Sequence, residues 1–229
     1  MADEILSYLE MCQREGLSLQ RGMNYLAGGD YSIILMSQRP NAPYRDRVED
    51  AGLTLIYEGH DEPNRRGLGD PKLVDQPRTT PRGNLTENGK FAQAAERSRA
   101  GLALPARVRV YEKIRDGIWS YNGLFFLVDA WTEHDGRRNV FKFKLVAAAD
   151  DSRHGTEAVE DLDTTRVIPS SVKLAVWKRD GGRCVQCGAM DNLHFDHIIP
   201  YSRGGSSLVA ENIQLLCARH NLAKRDRIE

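Results

Sequence analysis

The chain has 229 residues, enough to bury a core and form one or two domains, and its 32 Lys/Arg balance 32 Asp/Glu. That balance counts against a protein held on nucleic acid by bulk charge alone, and no apolar run is long enough to suggest a membrane span. The charge is uneven, however: residues 171–229 carry nine Lys/Arg and six Asp/Glu, a net of +3, while residues 149–163 carry six acids and Arg153, a net of −5.

In chain order, residues 2–16 read as a helix with Ile5, Leu6, Leu9 and Cys12 on one side. Residues 31–36 form a short β-branched apolar run, hence a buried strand, and Leu53 to Tyr57 is a second. Residues 61–89, rich in Pro, Gly, Asp, Asn and Arg, read as a long loop that includes Arg65, Arg66 and Arg82, and loops of that length usually serve function. Asn88 to Arg99 looks helical. Arg107 to Ile114, Tyr121 to Trp131 and Val140 to Val146 read as strands, the last alternating enough to suggest one wet face. The acidic stretch opens a linker over 149–170, and Pro169-Ser170-Ser171 offers a cap for a helix through Trp177. Phe195 to Ile199 reads as a strand stopped by Pro200, Gly204-Gly205 as a turn, and Asn212 to Arg225 as a helix with Ile213, Leu216 and Leu222 available to a core. The Met-Ala-Asp-Glu start lacks a secretory layout, and clustered cysteines fit a reducing compartment, so a cytoplasmic protein is expected.

Cys184-x-x-Cys187 and Cys217-x-x-His220 present two pairs of soft ligands. A two-residue gap lets both members of a pair reach one tetrahedral ion from a tight turn, and four protein ligands close its shell, so a structural Zn²⁺ is expected. Gly188 supplies the bend such a knuckle needs. Between the pairs runs Asp196-His197-Ile198-Ile199-Pro200-Tyr201-Ser202-Arg203-Gly204-Gly205, then Asn212, then Asn221 directly after the last soft ligand.

These residues resemble the HNH, or ββα-metal, nuclease family from about Val172 to Arg227. The resemblance implies His197 as general base, Asp196 and Asn221 as oxygen ligands of one Mg²⁺ or Mn²⁺, and Asn212 as brace of the loop and orienter of the imidazole. A neutral imidazole near pH 7 accepts a proton from water, and a hard divalent ion stabilises charge on a scissile phosphate. The family often ends in Cys-x-x-Cys-His. Here His220 takes the fourth zinc position and Asn221 the last catalytic one. Arg203, Lys224 and Arg225 are candidate phosphate contacts. His194, two residues before Asp196, is expected to be structural, and His60, His134 and His154 to lie at the surface.

Tyr31 to Ser37, Asn41-Ala-Pro-Tyr44-Arg-Asp46, Ile56-Tyr57-Glu-Gly59, Leu85 to Asn88, Trp119 to Gly123 and Phe141 to Leu145 are similar to an SRA domain over about residues 20–147. That resemblance implies binding of double-stranded DNA with a modified cytosine, flipped into a pocket. Such a pocket needs flat side chains to replace lost stacking and an acceptor for the cytosine amino group. Tyr44 and Tyr57 are the stacking candidates and Asp46 the acceptor, with Glu49 or Asp50 as substitutes.

The expected architecture is α+β: an SRA-like, curved or barrel-like sheet domain over residues 1–148, the linker, and a small zinc-stapled HNH domain over 171–229. The expected function is a modification-dependent, type IV-like restriction endonuclease, homodimeric and bacterial. The alternatives are an HNH endonuclease or nickase indifferent to modification, and a catalytically inactive reader of modified DNA.

Overall fold

A computed structural model describes residues 3–61, 70–148, 168–200 and 203–224. Among the described residues ten strands build one mixed sheet, accompanied by four α-helices. The strands are β1 (Glu4–Ser7), β2 (Met23–Asn24), β3 (Ser32–Met36), β4 (Arg47–Glu49), β5 (Thr54–Glu58), β6 (Ala106–Arg115), β7 (Ile118–His134), β8 (Asn139–Ala147), β9 (Leu193–His197) and β10 (Ile213–Cys217). The helices are α1 (Tyr8–Glu15), α2 (Glu87–Arg99), α3 (Ser170–Arg179) and α4 (Ala218–Lys224). One path runs β10-β9-β1-β7-β6-β3-β2, and β7 also pairs with β8, β8 with β5, and β5 with β4.

The long strand β7 makes this branching possible. Its first half pairs with β1 and β6, its second half with β8, and register slips at Val110/Tyr111 and Leu127/Asp129 insert extra residues. Such bulges bend a strand and raise its twist, which curls the sheet around a core. Tyr57, Phe91, Val108, Val110, Phe125 and Phe143 fill that core. Helix α2 closes it: Thr86 caps the helix by accepting from the Gly89 N–H at 3.1 Å, and the small Ala92 and Ala95 let it lie close on the sheet. Burying one phenylalanine such as Phe91 contributes about 1.5–3 kcal/mol.

Three expectations are corrected. Residues 4–7 are strand, not helix, because β1 pairs antiparallel with β7 on one side and β9 on the other. The helix starts only after Ser7, whose hydroxyl accepts from the Glu10 N–H while the Glu10 carboxylate accepts from the Ser7 N–H. Leu9, expected on the apolar side, is exposed. Second, the outer face of β8 is closed at Val140 and at Lys142, whose ammonium is buried 2.8 Å from Glu58 Oε2, and only half-exposed at Lys144 and Val146. Third, the stretch expected to be helical from Asn212 is strand β10 until Cys217, since pairing with β9 takes up its backbone. Leu222, on the short helix that follows, is 58% exposed rather than in a core. Helix α3 forms as expected, but Ser170 does not cap it, its hydroxyl turning to Gln38 and Glu112 instead. Most of the acidic linker, with Arg65, Arg66, His154 and Arg225, lies outside the described residues.

Candidate functional site

The C-terminal module is two antiparallel strands and a helix. Cys184 and Cys187 sit on a knuckle closed by the Gly188 N–H donating to the Cys184 carbonyl at 2.8 Å, with Gly188 at φ 74°. Cys217 ends β10 and His220 lies in the first turn of α4. The four ligand atoms lie within 4.8 Å of one another. Cys187 Sγ is 3.8 Å from Cys217 Sγ, and His220 Nδ1 is 3.3 Å from Cys184 Sγ and 3.4 Å from Cys217 Sγ. Metal–sulfur bonds of about 2.3 Å in a tetrahedron require sulfurs about 3.8 Å apart, so the donor set fits a metal ion. At Cys184 burial works against the thiolate, yet hydrogen bonds from the Cys217 backbone, His220 and the Cys187 and Gln186 backbone outweigh it and bring the pKa down to about 6.

His197 ends β9 with Asp196 beside it. Its Nε2 lies 2.8 Å from the hydroxyl of Ser207, which is buried. Burial pushes the imidazole pKa down, with Asp3 and Asp196 opposing and Lys224 adding to the fall. Asn212 ties the loop after His197 together: its Nδ2 donates to the carbonyls of Ile199 (3.0 Å) and Ser206 (3.1 Å), and its Oδ1 accepts from the Ile199 N–H (2.8 Å). A Cβ on Gly205 would lie 1.8 Å from the Ile199 carbonyl oxygen, so only glycine fits that crossing. Asn212 thus contacts the loop after His197, while the contact to the ring comes from Ser207, which sequence reasoning missed.

The ammonium of Lys224 lies 2.7 Å from Asp196 Oδ2 and against the His197 carbonyl, and its side chain is 1% exposed. It is therefore not free to meet a phosphate, contrary to expectation, because α4 packs on β9 and turns it inward. Gln214 Nε2 donates to the same Asp196 oxygen at 3.2 Å. Asn221 stands three residues before Lys224 and so shares its face of α4. Arg203 is exposed at the rim. His194 is buried, and its pKa is pushed down by that burial.

The N-terminal module holds a cavity of about 570 Å³. Tyr44, Asp46, His60, Gly22, Ser37 and Trp119 are among its lining residues. The Asp46 carboxylate is held from both ends, Oδ2 accepting from the Ser37 N–H and Oδ1 from the Glu58 N–H, each at 3.0 Å. Burial nevertheless lifts its pKa to about 7. The alternatives fall elsewhere: Glu49 pairs with Arg47 in the open, and Asp50 Oδ2 accepts from the Thr54 hydroxyl.

Tyr44 stacks on His60 with centroids 4.3 Å apart and planes 13° from parallel. Tyr57 is 1% exposed within the core, and its hydroxyl lies 2.7 Å from His60 Nε2. Its ring is a pillar behind the cavity rather than a free stacking face. His60, expected at the surface, lines the cavity with its ring against Tyr44. Burial drives its pKa down to about 4, so it is neutral at pH 7. Asn88 fixes it by accepting from the His60 N–H (2.9 Å) and donating to its carbonyl (2.8 Å). Its position beside Gly59 was the only local signal. His134 is exposed, as expected.

Residues 184–227 match the HNH endonuclease family. No curated protein matches the chain. Among solved structures it is similar to the SRA domain of SUVH5 in complex with fully methylated CG DNA, at 26% identity over 64% of this chain and 88% of that one, with a TM-score of 0.42. The same domain bound to fully hydroxymethylated CG DNA matches at 24% identity, 65% and 87% coverage, and a TM-score of 0.41. The type IV phosphorothioation-dependent restriction endonuclease ScoMcrA matches at 15% identity over 98% of this chain and 59% of that one, with a TM-score of 0.44. The C-terminal module of this mixed α+β chain thus carries an HNH endonuclease domain over residues 184–227.

Proposed function

We propose that the chain is a modification-dependent restriction endonuclease. Residues 1–148 read a modified cytosine flipped from double-stranded DNA, and residues 171–229 cut the backbone nearby. The observation that carries this reading is the coexistence, in one chain, of the HNH site with a cavity that offers a stacked Tyr44–His60 pair beside a doubly anchored Asp46. An extruded base loses its stacking and pairing partners, and those groups are what would replace them. The cavity is large enough for a cytosine with a substituent at C5. Asp46 would accept from the cytosine amino group.

At the nuclease site, His197 would take the proton of the attacking water, in the neutral form its burial favours. Ser207 and the strand end hold its ring. Asp196 and Asn221 would hold one Mg²⁺ or Mn²⁺, and such an ion stabilises charge on the phosphate and the leaving oxygen. Cys184, Cys187, Cys217 and His220 would hold Zn²⁺, which locks the knuckle to α4. Asn212 would keep the loop after His197 in shape, and exposed Arg203 would meet a neighbouring phosphate.

The test is digestion of matched duplexes bearing cytosine, 5-methylcytosine or 5-hydroxymethylcytosine with Mg²⁺ or Mn²⁺ present. Cleavage confined to modified duplexes, and lost in His197→Ala, is the expected result. Equal cleavage of all three leaves an indifferent HNH nuclease, and cleavage surviving in His197→Ala refutes the assigned base. One such site handles one strand, so double-strand cuts call for a homodimer in a bacterial cytoplasm facing foreign DNA. Light scattering of the DNA-bound protein should show the mass of two chains plus the duplex.

A further inference from the structure

The two modules meet along two seams. The first is β1, whose Glu4 pairs with Tyr121 of β7 and with His194 of β9, while the Phe195 N–H donates to the Asp3 carbonyl at 3.0 Å. The second is polar and centred on Lys173 of α3, whose side chain is 0% exposed. Its ammonium donates to Asn122 Oδ1 (2.7 Å) and Ser120 Oγ (3.1 Å) and lies 3.1 Å from Glu112 Oε2 and 3.3 Å from Asp3 Oδ1. Glu112, Ser120 and Asn122 belong to β6 and β7 of the N-terminal module. One turn earlier, the Ser170 hydroxyl rests against Glu112 and 2.7 Å from Gln38 Oε1. Gln38 follows Ser37, whose N–H holds the Asp46 carboxylate in the cavity.

A purely apolar seam is non-directional and tolerates sliding. A buried ammonium does not: moved by an ångström or two it loses its hydrogen bonds with no water to replace them, and burying it is costly unless that geometry is kept. We propose that the Lys173 cluster locks the nuclease module onto the N-terminal module as one rigid body, and that Lys173 thereby determines where the enzyme cuts. The scissile phosphate then falls at one constant offset from the base in the cavity. This rests on the modified-base reading above.

The test maps cut positions on a long duplex with a single 5-methylcytosine or 5-hydroxymethylcytosine, using the full chain. The wild type should give one dominant cut phosphate per strand. Lys173→Met should keep the preference for the modified duplex but spread cuts over several neighbouring phosphates. Ser170→Ala, which removes the tether to Gln38 without stranding a charge, should broaden the pattern less and serves if Lys173→Met does not fold. Scattered cuts by the wild type overturn the proposal, and so does an unbroadened pattern in the folded variants. Selective but scattered cleavage removes the constant offset alone. Equal cleavage of an unmodified duplex removes the read base, and the offset with it.

Discussion

Gly22 sits so close to the His60 ring that a Cβ would lie 2.1 Å from Cε1 and 2.9 Å from the Tyr57 hydroxyl. The ring cannot step aside, since Tyr44 stacks on it, the Tyr57 hydroxyl bonds its Nε2, and Asn88 pins the His60 backbone. Gly22→Ala should therefore disturb the cavity while sparing the nuclease site: binding of modified duplex in a gel shift should weaken about tenfold, worth about 1.4 kcal/mol, with unmodified duplex unchanged. Asp46 gives a second prediction. Its carboxyl, lifted to about 7 by burial, is mostly ionised only above that pH, and the ionised form is the stronger acceptor for the cytosine amino group. Binding of the base then favours loss of the proton, so the ratio of affinities for modified and unmodified duplex should fall as pH drops from about 8 to about 6. Taking the ratio cancels the phosphate contacts common to both. Asp46→Asn should flatten that dependence, and a ratio constant in the wild type over this range would remove Asp46 from the reading. The clustered Cys–His quartet was legible in the sequence because its members come in local pairs. His60 was not, because what defines it arrives from Gly22, Tyr44 and Asn88, all distant in sequence.

At the scale of elements, local pattern lost wherever an edge needed a partner. Residues 4–7 have apolar residues at helical spacing, yet β7 and β9 both present unpaired backbone there, and the hydrogen bonds of a shared strand outweigh a first turn of helix. The true start was written in the sequence all the same, as the Ser7-x-x-Glu10 capping box. The β10–α4 boundary shows the same competition: residues 213–217 pair with β9, and the helix begins only once that ladder ends. Docking α4 turns Lys224 under Asp196, a buried pair whose half-removal typically costs about 3–5 kcal/mol because the remaining charge is left unmatched. Lys224→Met should therefore lower stability in urea by about 3 kcal/mol. Added Mg²⁺ or Mn²⁺ should restore more stability to this variant than to the wild type, since a cation at Asp196 supplies the missing charge and binding to the folded state stabilises it. Equal gains in both proteins would mean that Asp196 does not meet the ion.

At the scale of the molecule, the acidic stretch expected as a linker lies outside the described residues, and the described residues form one sheet that runs from β10 through β1 into β7. A sheet shared in this way transmits loss of one end to the other. The Cys–His quartet at the C-terminal end has the ligand spacing to hold an ion, and an ion bound by such a set typically contributes about 10–16 kcal/mol, comparable to the whole stability of a domain. The metal-loaded protein should therefore unfold in a single calorimetric transition. Stripping the metal with a strong chelator should melt the C-terminal module at room temperature. It should also lower the midpoint of what remains by several degrees, because β1 then loses β9 and the Lys173 cluster opens to water. Two independent transitions in the loaded protein, with the chelator moving only one of them, would show that the shared strand and the buried lysine join the modules too weakly to act as one body.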